Sequence, residues 1–104
     1  MTPVAPEEVR QAAATLAGAA HRTPVFTSRT LDHRVGATLF LKGEHLQRTG
    51  SFKFRGAWNA LRSLSAEERA RGVITYSSGN HAAALASAGR ELGVHVVVAL
   101  PNNA

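Results

Sequence analysis

The sequence predicts an α/β fold, a parallel sheet with helices on both faces. From residue 38 onward, segments typical of strands alternate with segments typical of helices. The last two strand segments, at 73–76 and 94–100, are almost wholly apolar, as expected for strands of a buried parallel sheet. We therefore also expect right-handed crossover connections between neighbouring strands.

The first half of the chain contains a predicted helix followed by short extended segments. Residues 6–20 are rich in alanine and carry two early glutamates, which complement the dipole of a helix at its first turn. Pro24 ends this helix, because the residue before a proline is pushed out of the helical region. We predict an extended piece at 25–30, a strand at 38–42 and a polar loop at 47–50.

The second half alternates regularly between helices and strands. A helix is expected from Ser51, whose hydroxyl can cap the first turn. Its apolar residues recur at helical spacing: Phe54, Ala57, Trp58, Leu61 and Leu64. Ser65 opens a Ser-Ala-Glu-Glu capping box and a short helix. A tight turn at 77–80 leads from the 73–76 strand into an alanine-rich helix, which Gly93 ends.

The composition is typical of a folded globular protein. The 104 residues are 44% hydrophobic and 18% charged, and no apolar run approaches the roughly 18 residues of a membrane-spanning helix. The absence of cysteine excludes disulfides and thiolate metal sites, and the five histidines show no metal-ligand spacing. The N-terminus lacks the apolar core of a secretory signal, so we expect a cytoplasmic protein without a membrane partner.

The formal net charge of +5 leaves nucleic-acid binding as an alternative. The twelve lysines and arginines are scattered, however, and little aromatic residue content lies between them for base stacking. We therefore expect no nucleic-acid partner. A true binder would show steeply salt-dependent association.

The first segment with chemical interest is residues 49–56, TGSFKFRG. Lys53 lies in the opening turn of a predicted helix, where the dipole disfavours a further positive charge. Phe52 and Phe54 add apolar surroundings, and Arg55 adds cationic repulsion. Each effect favours the neutral amine, which is the form that condenses with an aldehyde. The alternative interpretation is an ordinary solvated lysine between two core phenylalanines.

The second such segment is residues 77–81, SSGNH, where a strand ends and a helix begins. Backbone N–H groups, serine hydroxyls and Asn80 would together bind a carboxylate or a phosphate. The alternative, compatible with the first, is a helix cap in which Ser78 or Asn80 satisfies free N–H groups. His81 alone indicates no metal, and we predict no metal site.

Together these segments resemble a known enzyme family. Residues 41–57, LKGEHLQRTGSFKFRGA, resemble the cofactor-lysine signature of threonine and serine dehydratases (threonine ammonia-lyases) and serine racemases. Residues 77–82, SSGNHA, resemble the second cofactor-and-substrate loop of that family, and residues 21–24, HRTP, its lead-in. The strand exit is similar as well: Leu100, Pro101, Asn103 and Ala104. The likeness covers nearly the whole chain in the right order.

The resemblance implies pyridoxal 5'-phosphate (PLP) as the cofactor and gives roles to particular residues. Lys53 would carry the cofactor as a Schiff base and then move protons at the substrate α-carbon. Ser78 is the second catalytic candidate, because it matches the opposite-face acid/base of the racemase branch. Phe52 would lie against the cofactor ring, and Asn80 would hydrogen-bond its phenolic oxygen. Four residues would bind the substrate carboxylate: Ser77, Ser78, Asn80 and His81.

The implied fold is the N-terminal portion of the tryptophan-synthase β-like fold of fold-type II PLP enzymes. About residues 1–50 would be the lead-in of a large domain, and residues 51–104 the start of a small domain. Nothing in the chain resembles the family's glycine-rich phosphate loop or its partner for the pyridine nitrogen. We therefore expect residues 1–104 to be the N-terminal part of a longer, homo-oligomeric enzyme and to be inactive alone.

The implied reaction is the β-elimination of water and then ammonia from threonine or serine, giving a 2-oxo acid. A serine racemase or a related hydroxy-amino-acid lyase is the nearest alternative. Cysteine synthase-like enzymes are less favoured, because their Asn-Pro and Thr-Ser-Gly-Asn-Thr patterns are missing here. Ala83 departs from the dehydratase pattern, since many members have glutamine there. An alternative of another class is a non-catalytic anion-binding module whose Lys53 is exposed and unreactive.

Overall fold

The computed structural model describes residues 2–104, which form five α-helices, two short sheets and two 3₁₀ turns. In chain order the elements are α1 (Pro6–Leu16), β1 (Val25–Phe26), α2 (Arg29–Val35), β2 (Leu41–Lys42), the 3₁₀ turns Glu44–Leu46 and Arg48–Gly50, α3 (Lys53–Ser63), α4 (Ala66–Arg71), β3 (Val73–Tyr76), α5 (Asn80–Leu92) and β4 (Val96–Ala99).

Strands β3 and β4 pair in parallel, with Val73 opposite Val96 and Tyr76 opposite Ala99, and helix α5 connects them. The predicted α/β class with a parallel sheet is thereby confirmed. Residues on alternate positions of a strand point to opposite faces. One face of the pair packs against the core through Val73 and Val96. Ile74, at 76% exposure, lies on the other face, which no helix among residues 2–104 covers.

The N-terminal strands differ from the prediction. β1 and β2 form a separate antiparallel pair, with Val25 opposite Lys42, and each has only two residues. The strand predicted at 38–42 is shorter because the backbone N–H of Leu39 donates to Asp32 Oδ1 at 2.8 Å. That N–H is therefore directed at a side chain and not at a neighbouring strand.

In this half, one helix is shorter than predicted and another helix was not predicted. α1 ends at Leu16, short of the predicted residue 20, because Ala17 has left the helical region and Gly18 adopts a positive φ of 76°. α2 was not predicted at all. Its signals are a Ser28 side chain that accepts from the N–H of Leu31 and a left-handed Gly36 at its end.

Two predicted boundaries of the second half need correction. α3 begins at Lys53 and not at Ser51, and its N-cap, Phe52, makes no side-chain capping bond. The strand predicted at 94–100 is limited to Val96–Ala99.

The capping box and the glycine stops of the second half are confirmed. Both bonds of the capping box form: Ser65 Oγ accepts from Glu68 N at 3.2 Å, and Ser65 N donates to Glu68 Oε2 at 2.7 Å. Gly72 follows α4 with φ +78°, and a Cβ there would lie 2.6 Å from the carbonyl oxygen of His95. Gly93 ends α5 in the left-handed conformation.

The core lies between α3 and α5 and continues to the sheet. It consists of seven buried hydrophobic residues: Phe54, Ala57, Leu61, Ala84, Leu85, Ala88 and Val94. Trp58 and Leu64 are partly buried against it, so the predicted apolar face of α3 is correct. Small residues on α5 allow close packing, since a Cβ on Gly89 would lie 2.4 Å from Val96. Trp58 also ties α3 to α1, because its Nε1 donates to the carbonyl of Thr15 at 3.2 Å.

None of the helices among residues 2–104 combines the length and the apolar character needed to cross a membrane.

Candidate active site

Lys53 is the first residue of α3, and its side chain is exposed. The ammonium nitrogen lies 5.3 Å from the centroid of the Phe52 ring, within the range of a cation–π contact. Among the described residues 2–104, its side chain makes no hydrogen bond or ion pair. The amine is therefore accessible to a ligand, and its position depends on the backbone of the first turn of α3.

The two phenylalanines beside Lys53 are in different environments. Phe54 is fully buried, whereas Phe52 is 61% exposed. The alternative interpretation placed both in the core, and for Phe52 this is wrong. Phe52 instead presents an apolar ring to solvent next to the amine, where a flat ligand could stack on it.

Arg55 does not act as the unpaired cation that the sequence suggested. Its guanidinium forms a two-pronged contact with the Glu44 carboxylate, with Nε to Oε2 at 2.8 Å and NH2 to Oε1 at 2.7 Å. These hydrogen bonds lower the pKa of Glu44 from 4.5 to about 2, against an opposing effect of burial, and they raise the pKa of Arg55. The repulsion expected between Arg55 and Lys53 is therefore offset by the negative charge of Glu44.

Glu44 and Arg55 belong to a wider set of contacts, here called the anchoring network, that comprises Thr23, Glu44, Gln47 and Arg55. Thr23 Oγ1 donates to Glu44 Oε1 at 2.6 Å. Gln47 Nε2 donates to the carbonyl of His21 at 2.9 Å, and Gln47 Oε1 accepts from the N–H of His21 at 2.8 Å. The network thus ties the lead-in at 21–24 to the segment that precedes Lys53. Sequence reasoning missed it, because its partners are separated by long loops.

The turn between β3 and α5, residues 77–80, has few internal bonds. Gly79 N donates to Ser77 Oγ at 3.2 Å, and Ser77 N donates to the carbonyl of Ala99 at 3.2 Å. Gly79 is the N-cap of α5, and no side chain caps the helix. The alternative prediction, in which Ser78 or Asn80 caps α5, is therefore wrong. The N–H groups of the first turn of α5 thus have no side-chain acceptor, and such groups can bind an anion.

An open groove of about 630 Å³ lies beside this turn at the carboxyl ends of β3 and β4. Its lining residues are Tyr76, Ser77, Ser78, Gly79, Ala99, Leu100 and Pro101. Ligands of α/β proteins bind at this edge of the sheet, and the volume is in the usual range of roughly 300–1,000 Å³. Of the predicted site residues, Ser77 and Ser78 line the groove. Four do not: Phe52, Lys53, Asn80 and His81.

Lys53 and the β3–α5 turn adjoin two helices, α3 and α5, that pack against each other. Phe54 of α3 and Ala84 of α5 belong to the same buried cluster. Arg48 strengthens the joint, because its guanidinium lies 4.3 Å from the centroid of the Phe54 ring and forms an ion pair with Glu91 of α5. The amine of Lys53 and the β3–α5 turn are thus mounted on one core.

The rest of the described chain contains a second groove but no metal-binding cluster. A second groove, of about 600 Å³, follows α1 and contains none of the predicted site residues. Among residues 2–104, no group of three or more His, Asp or Glu side chains is arranged to hold a metal ion.

Comparisons with known proteins place most of the chain in one family. Residues 16–104 match the family model described as pyridoxal-phosphate dependent enzyme. The chain is 54% identical over 97 residues to the L-threo-3-hydroxyaspartate ammonia-lyase of Pseudomonas sp, covering 93% of this chain and 30% of that protein. It is 43% identical over 98 residues to the L-threonine ammonia-lyase of Thermotoga maritima, covering 94% and 24%.

A solved structure matches the chain with similar sequence identity and over a similar share of its length. The crystal structure of serine racemase from Dictyostelium discoideum has a TM-score of 0.89 and 43% identity, covering 94% of this chain and 32% of that one. The chain therefore spans less than a third of the length of each of these three proteins.

Proposed function

The chain belongs to the family of pyridoxal-phosphate dependent enzymes, and we propose that the whole protein eliminates water and ammonia from a small hydroxy-amino acid. Threonine and serine are the proposed substrates, and a 2-oxo acid is the product. One observation carries the proposal: the accessible Lys53 amine, beside the exposed Phe52 ring, lies on the same helical core as an uncapped anion-binding turn.

The groups present are chemically suited to PLP. Lys53 offers an amine with no competing hydrogen bond among the described residues, and Phe52 offers an apolar ring. The uncapped first turn of α5 offers N–H donors to an anion. The phosphate loop and the partner of the pyridine nitrogen are proposed to lie in the rest of the protein. When bound, PLP supplies an aldehyde for amines and an electron sink for the substrate α-carbon.

Each proposed residue then has a defined task. Ser77, Ser78 and the first-turn N–H groups of α5 bind the substrate carboxylate and fix the direction of the Cα–H bond. Lys53 removes the proton from Cα and can return it to the departing hydroxyl group. Asn80 would donate to the phenolic oxygen of PLP, and His81 would help to bind the substrate carboxylate. Phe52 would lie against the PLP ring and exclude water from that face of it.

The choice of substrate rests on the relatives, which are named for different amino acids. One relative is named for hydroxyaspartate and another for threonine, and both are ammonia-lyases. All of these substrates carry a hydroxyl group on the β-carbon, which is the group that elimination removes. Ala83, in the first turns of α5, is exposed and carries only a methyl group where many dehydratases have glutamine.

Racemisation of serine is a second candidate function. It is favoured by Ser78, whose exposed side chain lines the groove and could exchange a proton with Cα from the face opposite Lys53. The non-catalytic anion-binding module also requires an exposed Lys53, so exposure does not separate it from the enzyme. The reactivity of the amine does.

A division near residue 50 is proposed as a domain boundary, with about 1–50 in a large domain and 51–104 in a small one. All seven buried hydrophobic residues lie after residue 50. Among the described residues before it, the buried side chains are polar: Thr23 and Gln47. This distribution supports the boundary. The homo-oligomeric state and the cytoplasmic location stay predictions.

The test uses the full-length protein with PLP and three substrates: L-threonine, L-serine and L-threo-3-hydroxyaspartate. We expect equal amounts of 2-oxo acid and ammonia from at least one of them, and D-serine formation reports the racemase candidate. If PLP binds but none of the three gives 2-oxo acid or the opposite enantiomer, the proposed function is wrong.

A further inference from the structure

The position of the Lys53 amine is set by few contacts of its own. Its side chain is exposed, and its one close partner among residues 2–104 is the Phe52 ring. Its backbone N–H donates to Ser51 Oγ at 3.3 Å. The place where the amine meets a ligand therefore depends on what fixes the first turn of α3.

That turn is fixed on two sides. On the inner side, the buried Phe54 anchors it to the core. On the outer side, the Arg55 side chain reaches to Glu44, which lies in a separate 3₁₀ turn eleven residues earlier. A planar guanidinium that binds both carboxylate oxygens fixes orientation as well as distance. Without Glu44, the core would still hold α3 in place, but the outer side of its first turn would lose this two-pronged contact.

Glu44 can act as such an anchor because it is itself immobilised. The side chain is 16% exposed, and it accepts hydrogen bonds from three residues: Thr23, Gln47 and Arg55. The Arg55–Glu44 pair joins residues 23–47 to α3, that is, the two sides of the boundary proposed near residue 50. It differs in this from the exposed Arg10–Glu7 pair, which joins two residues of the same helix.

We propose that Glu44 is a positioning residue for Lys53: through Arg55 it fixes the outer side of the first turn of α3, from which the amine is directed at an aldehyde. This inference rests on the proposed function, since it assumes that Lys53 is the residue that reacts. Its effect is on the reactivity of the amine and not on substrate contacts. A merely structural ion pair would change stability and leave the reactivity of the folded protein unaltered.

The experiment measures amine reactivity directly, in full-length protein prepared without cofactor. The probe is pyridoxal, which lacks the phosphate group, so that the phosphate loop makes no contribution to binding. Borohydride traps the adduct at fixed times, and peptide mass spectrometry gives the initial rate of labelling at Lys53. Each variant is assayed at a temperature at which circular dichroism shows it to be folded.

Three variants are compared with the wild type. Glu44→Gln removes the charge from the anchor, and Arg55→Lys keeps both charges but loses the two-pronged geometry. Glu7→Gln is the matched control, because it breaks an Arg–Glu pair of similar length, 2.8 Å against 2.7 Å, on the exposed surface of α1. Displacements of about 1 Å can reduce reactivity by roughly 100-fold. We expect labelling of Lys53 to fall about tenfold or more in Glu44→Gln, severalfold in Arg55→Lys, and not at all in Glu7→Gln.

The outcomes separate this inference from the proposed function. Wild-type labelling at Lys53 that is retained in both Glu44→Gln and Arg55→Lys overturns the positioning role and leaves the function standing. If Glu44→Gln does not fold, Arg55→Lys decides alone, because its charges are preserved. A wild type that is not labelled at Lys53 overturns both.

Discussion

The anchoring network and the β3–α5 turn, the two regions beside the proposed site residues, are in opposite states of bonding. In the network, the polar groups of Thr23, Glu44, Gln47 and Arg55 are bonded to one another or to the lead-in backbone. In the β3–α5 turn, one side-chain bond forms, from Gly79 N to Ser77 Oγ, and α5 has no side-chain cap. The short helices α2 and α4, by contrast, are both capped by serines.

This difference indicates which side is prebuilt and which is completed by a ligand. Buried polar groups that are bonded to each other stabilise the chain and fix geometry. Unbonded N–H groups at a helix start lower the stability of the free protein but provide donors for an anion. The network is thus bonded within the chain, whereas the first turn of α5 keeps N–H groups that no side chain caps.

The largest effect is expected from removing the amine. Lys53→Ala should lower 2-oxo acid formation by the full-length enzyme by about 1,000-fold or more, because the reacting group is lost. The free energy of unfolding should change by less than about 0.5 kcal/mol, since the side chain is exposed. Turnover assays and urea unfolding check the two parts. Retained turnover would show that another group does this chemistry.

Next in size is the effect of breaking the joint between the two sides. Phe54→Ala removes a fully buried ring between α3 and α5, and it should lower the free energy of unfolding by about 3–5 kcal/mol. Phe52→Ala is the matched control, because the same substitution two residues earlier removes an exposed ring and should cost less than about 0.5 kcal/mol. Equal losses in urea unfolding would contradict the assignment of only Phe54 to the core.

A smaller effect tests the turn side. Ser78→Ala should reduce serine racemisation by about 100-fold, because a proton donor on one face of Cα is lost. Elimination should be less affected, since Lys53 remains. Ser63→Ala, at the exposed end of α3, should change neither rate. Loss of elimination alone, with racemisation intact, would place Ser78 in a different role.

The smallest effect tests the network through pH. Arg55 holds the pKa of Glu44 at about 2 in the folded protein, against 4.5 ordinarily, so the carboxylate contributes stability that is fully present above about pH 4.5. This contribution, about 1–3 kcal/mol with allowance for the partly exposed Arg55, should be lost as the pH falls from 4.5 to 2.

Unfolding of the wild type and of Glu44→Gln, measured by urea titration between pH 6 and pH 2.5, isolates the effect of this one carboxylate. The difference in stability between the two proteins should shrink with acid. A difference that stays constant with pH would show that the contact with Arg55 does not lower the pKa of Glu44.

Much of the fold could be predicted because the second half obeys local rules. The capping box at Ser65, the apolar spacing from Phe54 and the glycines at 72 and 93 each specify an element boundary within a few residues. The first half was harder to predict. The β2 strand is shortened by a side chain of α2, the bond from Leu39 to Asp32, and such a contact leaves no periodic signal in the sequence.

The candidate site divides in the same way. The candidate lysine and the serine turn could be selected from short motifs, because each motif is contiguous. The partner of Arg55 could not, since Glu44 is eleven residues away across a left-handed Thr49 with φ 61° and no regular spacing relates the two. Only the folded structure shows that Glu44 compensates the charge of Arg55.

The most direct test of the account is the location of the cofactor on the full-length protein. PLP is added, the adduct is fixed with borohydride, and the digested protein is analysed by mass spectrometry. The account predicts the adduct on the peptide that contains Lys53 and none on Lys42, whose amine donates to the carbonyl of Thr23 at 2.7 Å. An adduct on Lys42, or saturating PLP binding without any adduct at Lys53, would contradict it.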